Sequence, residues 1–369
     1  MNTQQIEGPS QAELIERVRK ISRTAAGRAE ETNLNRKVPE ETIKEFFDAG
    51  LMTVVQPMKW GGLARSPMEH YELIYEASMH CASTGWVYAV LSGHSDAVGW
   101  YPDSAQSAVW RDDPNAVISS AFAPTLRAKK MDGGFEISGK SPFSSGSDYA
   151  SWALLGGLVM SDDGAPEPKL FLVPRSDYKI IDDWHVMGLA GTGSKTLEIA
   201  GAFVSEDRAL DLPDFFGGPA PMGLLSILCG ASRGAIDAFA EQISTAPGKF
   251  GGRPPAEMEL FQVTIGTALG DVIFAWETVQ KLTLETVSIL MTGQPVTDEQ
   301  KMRNRAGTSL ATRLCLSALE KVFEISGGQG IYNSQLSRAY RDVRAGANHA
   351  ALNSTMAAKD AGVLALKRD

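Results

Sequence analysis

The sequence predicts an α+β chain in which a block of short strands is flanked by helices on both sides. Two observations carry that prediction. Apolar residues recur at helical spacing before about residue 115 and again after residue 213. Between 116 and 204 they alternate instead, in short runs broken by Gly-rich and Asp-rich turns. The domains that follow are 1–114, N-terminal and helical; 115–212, a small central β-barrel or sandwich; and 213–369, a C-terminal helical bundle.

Each element has a local reason. Residues 10–31 read as a helix, which Ser10 can cap with Glu13 three residues on, and Leu14, Val18, Ile21 and Ala25 supply its apolar stripe. Residues 39–49 form a second, with Ile43, Phe46 and Phe47 on one face and Gly50 as its stop. Helical spacing continues over 66–79, 83–98 and 103–110, and before residue 115 only 52–55 alternates like a strand. Strand-like runs then cover 117–122, 134–138, 152–159, 169–173, 179–184 and 195–203. Asp132-Gly133 is a hairpin signal, and Asp162-Asp163-Gly164 marks another turn. After a linker at 215–221, helices are expected over 222–243, 255–291, 296–325 and 337–366. Gly293-Gln294-Pro295 and the Gly-rich turn 327–330 separate them, and long helices with short links pack as antiparallel neighbours.

Composition excludes several classes. A net charge of −9, with no run of Lys and Arg, argues against a nucleic-acid binder. Cys81, Cys229 and Cys315 lack metal-type spacing, and their odd number does not suggest a disulfide framework. Residues 1–11 lack the basic and apolar regions of a signal peptide. No uninterrupted apolar run approaches the roughly 18 residues of a membrane span. A soluble cytoplasmic protein with no membrane partner is expected.

Some stretches could carry chemistry. Residues 142–152, Pro-Phe-Ser-Ser-Gly-Ser-Asp-Tyr-Ala-Ser-Trp, join two strand-like runs through hydroxyl side chains and aromatics. Such a turn can hold a flat polar ligand, or it can be a serine-rich β-turn. Residues 188–196, Gly-Leu-Ala-Gly-Thr-Gly-Ser-Lys-Thr, miss a phosphate-binding loop, because Ser194 precedes the lysine and a strand follows. No Gly-x-Gly-x-x-Gly lies between a strand and a helix, so no dinucleotide site is supported. His70 and His80 lack convergent ligand partners and read as surface or packing residues, and His185 is open. His94 follows Trp86 by eight residues and shares its broad helical face, and His349 sits among small residues with room for a ligand. Taken singly, either is structural or catalytic, and no spacing suggests a metal site. Arg233 interrupts an uncharged run over 222–236, so its partner is an anionic ligand or an acidic residue from another helix.

Residues 81–87, 119–124, 142–152, 184–195 and Arg341-Asp342-Val343 together resemble the acyl-CoA dehydrogenase fold. They are more closely similar to its oxygen-using branch, the group D two-component flavin monooxygenases, which include 4-hydroxyphenylacetate 3-hydroxylase and seco-steroid phenol hydroxylase. The resemblance covers about residues 40–349 and implies a helical domain, a central β-barrel and a four-helix bundle. It implies that Trp86, His94, Ser120, Ser145, Arg233 and His349 surround flavin and substrate. Phe122, Pro124, Phe143, Ser144 and Trp152 would line the isoalloxazine. Phe250, Gln262 and the turn holding Gly328 would reach a neighbouring subunit's cofactor in a homotetramer.

The implied activity is an oxygenase component using reduced flavin (FMNH2 or FADH2) and O2. A C4a-hydroperoxyflavin would pass oxygen to a small aromatic substrate, a phenol or indole. Ser145 would hold the N5 proton, His94 would bind the substrate's polar group, and His349 would support the hydroperoxide or act as base. With no dinucleotide motif in the chain, a separate NAD(P)H:flavin reductase is expected. The alternative is a dehydrogenase acting on an acyl thioester. Residues 345–359 contain no Asp or Glu where such enzymes carry their base, although Asp237 and Glu241 stay open. A non-catalytic flavin-binding scaffold is the third reading.

Overall fold

A computed structural model describes residues 8–160, 164–212, 217–248 and 252–367. Its N-terminal helices are α1 (Gln11–Ala26), α2 (Ala29–Leu34), α3 (Glu40–Asp48), α4 (Pro67–Ser78), α5 (Ala82–Val98) and α6 (Asp103–Trp110). The capping box is present: Ser10 accepts from the Glu13 amide, and the Glu13 carboxylate takes the Ser10 N–H at 2.7 Å. The helix expected over 10–31 breaks at Gly27 into α1 and α2. Residues 52–55 form turns rather than a strand; their buried side chains fill the core, but no neighbouring strand pairs with them. Helix α5 is buried along most of its length and lies against both the sheet and the bundle.

The strands are β1 (Ile118–Met131), β2 (Gly134–Ser144), β3 (Trp152–Met160), β4 (Glu167–Pro174), β5 (Lys179–Ile181), β6 (Lys195–Ser205) and β7 (Ala209–Asp211). They form one seven-stranded sheet ordered β5-β6-β2-β1-β3-β4-β7, antiparallel except for the β1–β3 pair. Two strands separate β2 from β4, yet Phe135 and Phe171 meet edge-on at 5.6 Å. The sheet therefore rolls around a shared core that includes Ile137, Leu155, Leu197 and Val204. The strand expected over 117–122 runs on to Met131 as β1, past a slip of its ladder between Ala121 and Leu126. The strand expected over 179–184 ends at Ile181, with 182–184 outside the sheet, and β7 is a three-residue strand without a run long enough to predict it. Asp162 and Asp163 lie outside the described residues.

The C-terminal helices are α7 (Ala220–Ser244), α8 (Glu259–Met291), α9 (Asp298–Ser326), α10 (Gln335–Gly346) and α11 (Ser354–Leu366). Helix α7 is long and apolar enough to cross a membrane by length and composition, and its burial in the bundle accounts for that. The stretch expected as one helix over 337–366 divides at 347–353, the turn that carries His349.

Candidate active site

Helix α5 brings Trp86 and His94 to the seam between sheet and bundle, about 12 Å apart along its axis at 1.5 Å per residue. His94 Nδ1 lies 2.9 Å from the Ile118 carbonyl oxygen, and Nε2 lies 3.0 Å from Ser120 Oγ. A carbonyl can only accept, so Nδ1 bears the proton and Nε2 accepts from the Ser120 hydroxyl. Phe122 meets the imidazole edge-on at 5.5 Å. Burial lowers the His94 pKa to about 4, against the pull of the Ile118 bond, and the ring is neutral. His94 therefore offers no unoccupied nitrogen, and Ser120 oxygen is the group through which it can reach a substrate.

Past Ala121, β1 leaves its ladder and Ala123, Pro124 and Thr125 are exposed. The loop backs onto Gly156, where a Cβ would fall 2.3 Å from the Phe122 carbonyl oxygen, so that approach requires glycine. Trp152 registers opposite Ile118 and packs, half-buried, in the cluster that also holds Tyr101 and Phe122.

The turn after β2 supplies hydroxyls. Phe143 has φ 68, a left-handed conformation costly for a phenylalanine, and its ring is 66% exposed, edge-on to Trp184 at 5.8 Å. Beneath it, Ser144 Oγ donates to Ser119 Oγ at 3.2 Å. Ser145 Oγ lies 2.7 Å from Ser194 Oγ, which lies 2.7 Å from Thr192 Oγ1. Thr192 donates its only hydroxyl proton to the Leu189 carbonyl at 2.8 Å. The chain therefore has a direction: Ser194 donates to Thr192, Ser145 donates to Ser194, and Ser145 keeps its lone pairs as acceptors. Ser194 and Thr192 belong to the stretch that narrowly missed a phosphate-loop pattern; their hydroxyls were visible, but their partner 49 residues away was not.

His349 meets Trp86 edge-on at 5.7 Å. Its Nδ1 accepts from the Ala351 N–H at 3.2 Å, so the neutral ring carries its proton on Nε2, the opposite tautomer to His94. The surrounding protein lowers its pKa to about 4, while part of the residue stays open to solvent. Helix α9 fixes this turn: Arg305 Nη1 donates to the Ala351 carbonyl at 2.9 Å, and Thr312 Oγ1 to the Leu352 carbonyl at 3.0 Å.

Other expected site residues fall elsewhere. Arg233 is 37% exposed, and its Nε donates to Asp237, one turn along α7, at 2.8 and 2.9 Å. Its partner within this chain thus comes from its own helix. It lines a cavity of about 370 Å³ with Arg19, Tyr75 and His80, which shares no other residue with the site. Asp237 is engaged with Arg233, and Glu241 is exposed on α7. Gln262 is exposed and donates to the Ala256 carbonyl at 2.9 Å, and Gly328 is exposed near the end of α9. Neither meets the site within this chain, and Phe250 lies outside the described residues. His70 is buried with Nε2 2.8 Å from Ser92 Oγ, a packing role.

Exposed Phe143, edge-on to Trp184 and next in the chain to buried Ser144 and Ser145, gives an apolar rim beside polar groups, which fits a flat cofactor such as flavin. The acyl-CoA dehydrogenase N-terminal domain family matches residues 8–108 and the C-terminal domain family matches 223–354. The chain is built on the acyl-CoA dehydrogenase fold. It is 32% identical over 358 residues to the flavin-dependent monooxygenase oxygenase subunit HsaA of Rhodococcus jostii (strain RHA1), covering 91% of this chain and 94% of that protein. It is 31% identical over 370 residues to the FADH2-dependent resorcinol hydroxylase oxygenase component of Rhizobium sp. (strain MTP-10005), covering 92% and 90%. The crystal structure of 3-HSA hydroxylase from Rhodococcus sp. RHA1 matches with a TM-score of 0.89 at 30% identity, over 97% of this chain and 98% of that one. The chain belongs to the flavin-dependent monooxygenases, as an oxygenase component that works with reduced flavin and O2.

Proposed function

We propose that this protein hydroxylates a small aromatic substrate of phenol or indole type, with flavin reduced by a separate NAD(P)H:flavin reductase. The observation that carries the reading is the directed hydroxyl chain ending on Ser145, placed in one seam with two neutral histidines of opposite tautomer. Reduced flavin, when bound, supplies the activation of O2 for transfer to the ring. Ser120, Phe122, Pro124, Phe143, Ser144, Ser145 and Trp152 would hold it. Ser145 is left as an acceptor and can keep a ring N–H in place, while Phe143 and Trp184 limit access of water. Ser120, donating to His94, can accept a phenol proton and hand its own to Nε2, which enriches the aromatic ring in electrons. His349 can donate from Nε2 to an oxygen that gains negative charge.

The relatives' designations as oxygenase subunit or component support the separate reductase. A homotetramer is supported by the exposed apolar side of α8, where Leu260, Val263, Phe274 and Met291 lie open. Three free cysteines suit a reducing cytoplasm.

The test supplies chemically reduced FMN or FAD, a panel of phenols and indoles, and ¹⁸O2. One labelled oxygen in the product is expected. Complete conversion of O2 to peroxide across the panel, together with oxidation of an acyl thioester, would replace this reading with the dehydrogenase.

A further inference from the structure

The Leu189 N–H donates to Asp342 Oδ1 at 2.6 Å, joining the segment between β5 and β6 to the middle of α10. The two backbones are in close contact, since a Cβ on Gly188 would fall 2.3 Å from the Arg341 carbonyl oxygen. Asp342 is only 8% exposed and forms no ion pair among the described residues, an expensive place for a carboxylate. Leu189 is held at φ 57, unfavourable for a leucine. What this arrangement secures lies on either side of it. The Leu189 carbonyl receives Trp184 Nε1 at 3.2 Å and Thr192 Oγ1 at 2.8 Å, so the hydroxyl chain ending on Ser145 hangs from it. On the other side, α10 ends at Gly346, three residues before His349.

We propose that Asp342 is a positioning residue, whose bond to the Leu189 amide keeps the Ser145 hydroxyl chain in register with His349. Its effect on turnover rests on the proposed oxygenase activity; the clasp itself does not.

The test compares Asp342→Ala with Asp342→Asn, whose amide oxygen still accepts from Leu189. In the protein without flavin, Asp342→Ala should speed hydrogen exchange across residues 184–195 by about tenfold, and Asp342→Asn by no more than about twofold. If the alanine variant does not fold, Asp342→Leu, close in volume and without an acceptor, takes its place with the same reading. Parent-like exchange in the variant without an acceptor, or equal acceleration by asparagine, overturns the proposal. With flavin and substrate, peroxide released per hydroxylated product should rise about threefold in the alanine variant and stay near the parent in the asparagine one. If the exchange difference holds while no variant, parent included, hydroxylates anything, the clasp stands and the proposed activity falls.

Discussion

Ser145 gives its hydroxyl proton to Ser194, 2.7 Å away, and so faces any bound ring as an acceptor. The direction is imposed from the far end, where Thr192 must donate to the Leu189 carbonyl. Ser145→Ala removes the acceptor, and we expect the share of O2 released as peroxide to rise about tenfold, the worth of one hydrogen bond. Ser194→Ala keeps the oxygen but frees its orientation, so a smaller rise is expected. A peroxide assay during turnover decides it, and an unchanged yield in Ser145→Ala would remove that residue from the mechanism.

Ser120 and His94 act as a pair because the imidazole accepts at Nε2 and is locked at Nδ1 by Ile118. Ser120→Ala should lower kcat/KM for a phenol about tenfold. His94→Ala should cost about 10² to 10³, within the range for a general base. Flavin oxidation without substrate should hardly change in His94→Ala, which leaves the flavin-holding residues in place. Equal values of kcat/KM in Ser120→Ala and the parent would show that the proton does not pass through that hydroxyl.

Local pattern made much of this legible. The capping box at Ser10, the shared face of Trp86 and His94, and the hydroxyl-rich turn at 142–152 could all be read from neighbours in the chain. Pairings over long separations could not: Ser145 with Ser194, Leu189 with Asp342, and Arg305 with the Ala351 carbonyl are contacts that only the fold creates. The pairing of Arg233 with Asp237, one turn along the same helix, is a local contact that the apolar run before it obscured. The break before α11 did leave a signal, since Asn353 caps the amides of Thr355 and Met356. The small residues before it hid that signal, and with it the turn that presents His349.

His349 accepts at Nδ1 from Ala351 and is therefore a donor at Nε2. His349→Ala should reduce hydroxylation by about 10². His349→Gln can still donate an N–H and should recover part of that loss. If glutamine is as poor as alanine while added imidazole restores activity with a base-like pH profile, the residue removes protons instead.

Stability should depend on pH through the buried rings. Burial lowers His70 to about 3 and His94 to about 4 from an ordinary 6.5. The unfolded chain takes up these protons first as pH falls, so stability present above 6.5 is lost as pH drops toward 4. Asp342 works the other way: raised from 3.8 to about 6, it favours the folded state as pH falls through that interval. Two rings outweigh one carboxyl, and Tm should decline from pH 7 to pH 5. Replacing His70 by Asn should flatten the decline. A Tm that stays level in the parent would mean that the rings are already charged in the fold.

Arg305 is 3% exposed, with Nε and Nη2 on Asp360 at 3.0 and 2.8 Å and Nη1 on the Ala351 carbonyl at 2.9 Å. The Asp360 side chain is itself 45% exposed, so water can partly replace it in Asp360→Ala, which should destabilise the fold by about 1–2 kcal/mol. Exchanging both residues for leucine removes both charges and should recover most of that loss, because the desolvation cost goes with them. The Ala351 carbonyl would still have lost its donor, and the turn that aims His349 would be looser. We therefore expect the double variant to melt near the parent temperature and yet release more peroxide per product. A double variant as well coupled as the parent would show that packing alone, with Thr312, holds the turn.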